Sequence, residues 1–311
     1  MVQQGDIDVE ILVHDDASVD GSAEYVRTHY PDVKTIQSES NVGFCVANNR
    51  MVEAATGEYV LLLNNDASLF PDALQNLLAE ARRLDKPAIL TLPQYDAASG
   101  VLVDRGCLLD PFYNPVPNLD IARLDVAMAI GACLWISKKL WDELGGFPAW
   151  FESIAEDMYL CCRARLAGRE VRVLTVSGYR HCQGASFGGN KPQDGKLRTT
   201  YRRRHLSERN KLRVMVLMSP GLWLLWMLPL HLALSVAETL TLCLAAGRWD
   251  YLRRVHWPAW REAWQARAKL AQGRQHIQRT RRATAAEFAQ AFTAFPRKLQ
   301  LLWKYGMPRL K

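Results

Sequence analysis

Five short stretches hold the residue types that could do chemistry. "DDASVDGS", Asp15–Ser22, places carboxylates and hydroxyls at the end of an apolar run. Ligands of open α/β sheets bind at such strand ends, and carboxylates there can accept hydrogen bonds from a base or ribose. The same letters also suit a turn capped by Asp and Ser. "NVGFCVANN", Asn41–Asn49, offers a glycine for close backbone approach and two asparagines on the first turns of a helix. "LLLNND" ends a hydrophobic run in Asn64, Asn65 and Asp66. A hard divalent cation takes oxygen ligands and shares them with phosphates, whereas a cap or turn would use the same residues structurally. Glu156 and Asp157 stand together where a helix should begin. Neighbouring carboxylates raise each other's pKa, which suits a general base, and the helix N-terminus pulls the other way. A charged first helical turn is the plainer account of such a pair. His181, in "GYRHCQGASFGG", precedes a glycine-rich stretch and could serve as a ligand or as a structural histidine.

The elements that must carry these residues alternate short apolar runs with helical periodicity, as a layered α/β sheet requires. Strands are expected over "VEILVH", "VKTIQ", "EYVLLL", "AILTLP", "AIGACLWIS" and "EVRVLTV". "EYVLLL" is near-continuously apolar, as for a strand covered on both faces. Helices are expected over 22–30, ahead of Pro31; over 43–56, stopped by Gly57; over 70–84, with Pro71 early; over "KKLWDEL", capped by Ser137 and ended by Gly145; and over 157–167, ended by Gly168. Residues 93–127 read as a turn-rich excursion. No internal repeat is visible.

Charge divides the chain. Residues 1–197 carry 17 basic and 27 acidic residues, net −10, whereas residues 198–311 carry 22 and 5, net +17. The boundary separates an acidic front domain, 1–197, from a basic and hydrophobic helical rear, 198–311. Val214–Ala237 holds no charged residue if His231 is neutral, with Arg202, Arg203, Arg204, Arg209, Lys211 and Arg213 before it and Arg248, Arg253 and Arg254 beyond. Positive flanks on both sides put both in the cytoplasm, which one crossing cannot do. Two crossings need about 40 apolar residues. Pro220, Gly221 and Pro229 also interrupt the run. Helices lying in the interface, or dipping in and returning, are therefore expected at an anionic membrane surface, and nucleic acid is not the expected partner. Seven cysteines without a CxxC pair fit reduced thiols in the cytoplasm. Residues 1–10 show neither the basic start nor the apolar core of a secretory signal.

Taken together, "DDASVDGS", "NVGF…NN", "LLLNND", "GGFPAWFESIAED", "RARLAG" and "RHCQGAS" resemble the family-2 glycosyltransferases of GT-A fold, especially bacterial rhamnosyltransferase-like members, over about residues 9–190. The resemblance implies a Rossmann-like mixed sheet and a nucleotide-sugar donor. It gives Asp15 to the nucleotide base, Asn41 and Asn64 to the nucleotide and ribose edge, Asp66 and His181 to a divalent metal (Mg²⁺ or Mn²⁺), and Asp157, supported by Glu156, to the general base. Trp150 and Phe151 would line the acceptor side. Asn64 stands where the family's usual D-x-D carries its first carboxylate, and Tyr159 stands where many relatives carry a further acid.

The implied activity is inverting, metal-dependent transfer of a sugar, such as rhamnose, to a lipid-linked or polysaccharide acceptor in cell-surface glycan synthesis. The implied place is the cytoplasmic face of the inner membrane, with monotopic or peripheral attachment. The family's first strand and helix have no counterpart in the 14 residues before Asp15, so an upstream segment is expected. The rival expectation is a truncated, inactive, membrane-associated relative.

Overall fold

The computed structural model describes residues 7–182, 192–193, 196–247, 249–306 and 309–310. Its front begins with β1 (Leu12–Asp15), α1 (Ser22–His29), β2 (Lys34–Gln37), α2 (Phe44–Ala54), β3 (Tyr59–Leu63), β4 (Ala67–Leu69) and α3 (Ala73–Arg83). Then come β5 (Ile89–Thr91), β6 (Gln94–Asp96), β7 (Leu102–Asp104), β8 (Cys107–Leu109) and β9 (Pro115–Pro117). The site-bearing part closes with β10 (Cys133–Ser137), α4 (Lys138–Leu144), α5 (Glu156–Leu166), β11 (Val171–Val173) and β12 (Tyr179–His181). Apolar runs became strands and 3.6-residue periods became helices. Ser137 accepts the Leu140 N–H at 3.2 Å, and Gly145 closes α4 in the left-handed conformation, as the sequence predicts. The helix expected from residue 70 starts later: Pro71 precedes it and Asp72 is its N-cap.

A mixed sheet in the order β11-β5-β10-β3 forms the centre, with β10 antiparallel to both neighbours. β10 is the buried strand, while β3, expected to be covered on both faces, lies at the sheet's edge and buries only Leu62. β1 and β2 pair in parallel as a separate ladder. A cavity of about 480 Å³ lies between that ladder and β3, lined by Ile7–Leu12 on one side and Tyr59–Leu63 on the other. The stretch 93–127 is more ordered than its turn content suggests. It supplies β6 and β7, which join β4 and β12 in a second sheet of order β4-β12-β6-β7, and the β8–β9 hairpin.

The rear is helical: α6 (Tyr201–Met218), α7 (Trp223–Ala246), a short π-helical turn at Leu252–His256, α8 (Trp257–Gln265), α9 (Arg267–Arg279), α10 (Ala285–Ala289) and α11 (Arg297–Tyr305). The uncharged run Val214–Ala237 falls on two helices. Val214, Met215, Leu217 and Met218 end α6 inside the same core as β10, α4 and α5, while α7 carries the remainder. Pro229 does not interrupt α7 but sits within it. The basic flank also behaves differently from the expectation of a membrane-facing cluster. Arg209, Lys211 and Arg213 are buried, because each hydrogen-bonds inside the fold. Arg248 lies outside the described residues.

Candidate active site

The stretch Leu61–Asp66 settles into both of its possible uses. The Ala67 N–H donates to Asn64 O at 3.0 Å, which makes residues 64–67 a turn. The turn starts β4, and β4 pairs antiparallel with β12 so that Ala67 stands opposite His181. The Cys182 N–H donates to Asp66 O at 2.9 Å and closes the ladder. Residues 115 positions apart thus meet: His181 Nε2 lies 3.0 Å from Asp66 Oδ1 and 3.5 Å from Asn64 Nδ2.

The histidine is aimed from behind. Its Nδ1 lies 3.3 Å from Gln94 Oε1, which also accepts from Tyr179 OH at 2.7 Å. With that oxygen as acceptor, Nδ1 carries the hydrogen and Nε2 turns its lone pair toward Asp66, an assignment made from the hydrogen-bond network. Two acceptor atoms at 3.0 Å need a positive centre between them, a proton or a metal ion. Neighbouring ligands of a six-coordinate Mg²⁺ at ~2.1 Å stand about 3 Å apart, so the pair fits a divalent cation and leaves further positions for phosphate oxygens. A second acidic group, Glu208, Glu238 and His256, also brings its ligand atoms within 4.8 Å of one another. Lys211 (2.6 Å) and Lys298 (2.9 Å) already neutralise Glu208, and Arg204 (2.7 Å) and Lys298 (2.6 Å) neutralise Glu238, so that cluster disfavours another cation.

Beside the turn opens a cavity of about 820 Å³. Asn41, Asn64, Asn65, Asp16, Gly131 and Glu152 are among its walls. Asp15, expected to meet the base, is buried and does not line it. Its carboxylate accepts from Ser18 N–H and Gln37 Nε2, both at 3.3 Å. The lining carboxylate is Asp16, which accepts the amides of Val42 (2.6 Å) and Gly43 (3.0 Å) and so ties the end of β1 to the loop before α2. Gly43 is required there. Its φ is +83°, and a Cβ would stand 3.2 Å from Glu152 O.

Glu156 and Asp157 occupy the first turn of α5, and both are buried. Asp157 accepts from the backbone of Gly131 (3.0 Å) and Met158 (2.7 Å), and Gly131 lines the cavity. Glu156 Oε2 has no partner among the described residues. Burial, more than the charge of Asp157, pushes the Glu156 carboxyl up to about 8. Burial also raises Asp157, against the pull of its two backbone donors. Near neutral pH the Glu156 carboxyl is therefore held largely in its neutral form, while the backbone donors on Asp157 oppose the upward push that burial gives it.

The aromatic pair separates. Phe151 is fully buried in the core and cannot line an acceptor site, because the backbone turns it inward against Tyr159. The Trp150 ring is stacked by the Arg213 guanidinium at 4.5 Å and the Lys269 ammonium at 4.6 Å. The glycine-rich residues 183–189 after His181 lie outside the described residues. Sequence reasoning missed Asp16, Gln94 and Gly131. Asp16 was one letter from Asp15 and indistinguishable from it by pattern. Gln94 and Gly131 left no local signal, since their roles come from distant pairing.

Comparison with known proteins bears on the family and the fold. The family described as "Glycosyl transferase family 2" matches residues 1–145. The uncharacterized glycosyltransferase YibD of Escherichia coli K12 is 36% identical over 76 residues, covering 24% of this chain and 22% of the relative. An N-acetylglucosaminyl-diphospho-decaprenol L-rhamnosyltransferase of Mycobacterium tuberculosis H37Rv is 24% identical over 190 residues, covering 51% and 62%. The chain thus spans less than two thirds of each of these relatives. The crystal structure of GalNAc-T7 with UDP, GalNAc and Mn²⁺ superposes with a TM-score of 0.52 at 15% identity, over 67% of this chain and 41% of that one, a likeness of fold.

Two outcomes follow from the site. The Glu156 carboxyl stands at about 8 in the fold against an ordinary 4.5, so its neutral form is the one the fold favours. Its stabilising share is complete below about 4.5 and is lost as pH rises through 8. Glu156→Gln is therefore expected to melt close to wild type at pH 5 and well above it at pH 9, as read by thermal unfolding across that range. Asp66→Asn and His181→Ala are each expected to weaken Mn²⁺ binding in the presence of a nucleoside diphosphate by at least about tenfold, about 1.4 kcal/mol, measured by calorimetry.

Proposed function

We propose that this chain, whose residues 1–145 match the family-2 glycosyltransferases, moves a sugar from a nucleotide-sugar donor to a lipid-linked or polysaccharide acceptor, with inversion at the anomeric carbon. One observation carries this reading. A single turn, residues 64–67, sends Asn64 and Asn65 into the 820 Å³ cavity and Asp66 against His181, while Gly131 in the same cavity wall holds Asp157.

In this reading Asp16, Asn41 and Asn64 bind the nucleoside, with Asp15 bracing the strand end behind them. Asp66 and His181 would hold a divalent metal, Mg²⁺ or Mn²⁺, which when bound neutralises charge on the departing nucleoside diphosphate. The acceptor hydroxyl gives its proton to Asp157 as its oxygen bonds the anomeric carbon, and the bond from that carbon to the diphosphate breaks. Attack comes from the face opposite the leaving group, so no protein nucleophile is needed. Glu156, protonated, keeps a second negative charge away from Asp157. Rhamnose is the favoured sugar, since the mycobacterial relative is an L-rhamnosyltransferase acting on a decaprenol-linked substrate.

The front, 1–197, performs the chemistry and the rear, 198–311, meets the membrane. The support for membrane contact is the inverted pattern of α7. Its buried stripe at four-residue spacing is His231, Ser235, Thr239 and Cys243, while Leu225, Trp226, Leu230, Leu240 and Leu244 face outward. A helix with polar atoms inside and leucines outside suits an apolar surrounding rather than water. The 22 residues Trp223–Leu244 are long and apolar enough to cross a bilayer. Exposed Trp257, Trp264 and Trp303 fit its interfacial zone, and exposed Arg253, Arg254, Arg261 and Arg267 fit an anionic leaflet at the cytoplasmic face.

Asp157→Asn is expected to lower sugar transfer by about 10²–10⁴-fold while leaving nucleotide affinity unchanged, since it removes the base and keeps the shape. Flotation with anionic liposomes is expected for the intact chain and lost in the pair Leu230→Glu with Leu240→Glu. Deleting residues 198–311 is the poorer test, because α6 belongs to the core.

A further inference from the structure

The loop between Phe151 and α5 is the most strained part of the site. Glu152, Ile154 and Ala155 hold φ values of 65°, 70° and 70°, in the left-handed region that residues with a Cβ rarely adopt. Such strain persists only where the surroundings over-determine it. The loop matters twice over. Glu152 and Ser153 form part of the donor cavity's wall, and Ala155 is the N-cap residue from which Glu156 and Asp157 project.

What over-determines it comes from α6. Asn210, fully buried, donates through Nδ2 to Phe151 O (2.9 Å), Ser153 O (2.9 Å) and Ile154 O (2.8 Å). Arg209 donates to Phe151 O at 2.9 Å and to the Glu152 carboxylate at 2.7 Å. Arg213 donates to Trp150 O at 2.9 Å. The amide oxygen of Asn210 is itself fixed, accepting from Arg209 Nε (3.0 Å) and Arg213 Nη1 (3.2 Å). On the opposite side the Cys45 N–H donates to Glu152 O at 3.0 Å. The loop is thus clamped between the start of α2 and Arg209, Asn210 and Arg213 of α6.

We propose that Asn210, backed by Arg209 and Arg213, is a positioning residue: it holds the 152–155 loop in its left-handed form and so fixes where Glu156 and Asp157 stand relative to the donor cavity. Asn210 is fully buried and does not line the donor cavity. The inference rests on the reading of Asp157 as the base of sugar transfer. Its consequence is that the helical rear is part of the catalytic apparatus as well as the membrane attachment. The two hydrogens of the Asn210 NH₂ group are shared among three carbonyls, while its oxygen accepts from the flanking guanidiniums, a combination of donor and acceptor that a neutral amide offers. The flanking guanidiniums explain why that amide does not swing away.

The decisive variant is Asn210→Asp. It keeps the size and the acceptor for Arg209 and Arg213, whose charges compensate the new carboxylate, but it removes every donor to the loop. Arg209→Gln is the milder companion, giving up the bonds to Phe151 O and Glu152. For each, transfer kinetics, thermal unfolding and amide hydrogen exchange over 152–158 are measured on the full chain. The expected result is kcat lower by about ten- to a hundredfold, donor KM within about threefold, near-native melting, and faster exchange confined to 152–158. Wild-type exchange over 152–158 in both variants overturns the clamp, whatever the kinetics. So does a loss in which kcat, KM and melting temperature fall together, since that marks a general packing role. Loosened exchange with no transfer by the wild-type chain would instead uphold the clamp and reject the glycosyltransferase reading.

Discussion

The pairing of β4 with β12 is the constraint on which the candidate site depends. It sets Ala67 opposite His181 and thereby brings Asp66 to 3.0 Å from the imidazole. A slip of one residue in this ladder would turn Asp66's neighbourhood to the other face and scatter the pair. The register is held at one end by the residue 64–67 turn and the Cys182–Asp66 backbone bond, and at the other by the Phe70 N–H, which donates to Gly178 O at 2.9 Å. The parallel pairing of β12 with β6 adds a third restraint, and it places Gln94 where it can orient the histidine. The Asp66–His181 pair, the asparagines of the 64–67 turn and the strand register are in this way one structural feature.

Burial governs the second half of the site. The proximity of two carboxylates was the visible cue, yet desolvation is the larger cause of the raised Glu156 carboxyl, and backbone donors moderate Asp157. Such asymmetry arises because Asp157 faces the Gly131 amide whereas Glu156 Oε2 meets no donor among the described residues. Two adjacent residues of like chemistry thereby meet different hydrogen-bonding surroundings.

Much of this was legible in the sequence, for physical reasons. Apolar runs and 3.6-residue periods located the strands and helices that carry Asn64, Asp66, Glu156 and Asp157, because patterning is a local consequence of burial. Ser137 and Gly145 announced the ends of α4 through their own backbone preferences. What stayed hidden depends on partners far along the chain. Asp15 and Asp16 read alike, and only the loop at Val42 and Gly43 distinguishes them. Phe151 looked like a ligand wall beside Trp150, but the bend after it sends the ring into the core. The basic run before the apolar stretch looked like a membrane contact, yet Arg209, Lys211 and Arg213 face inward to carbonyls, amides and carboxylates. α7 concealed its direction as well. Uniform hydrophobicity does not show which face is buried, and here the small polar residues are.

The central claim is that residues 64–67 and His181 form the metal edge of a nucleotide-sugar site served by Asp157. It is tested most directly by incubating the full chain with a panel of nucleotide sugars and reading release of the nucleoside diphosphate, with Mn²⁺ supplied or chelated. The account predicts release from a narrow set of donors that stops on chelation and returns when Mn²⁺ is restored. Release that is indifferent to chelation, or no release from any donor in the panel, would contradict it.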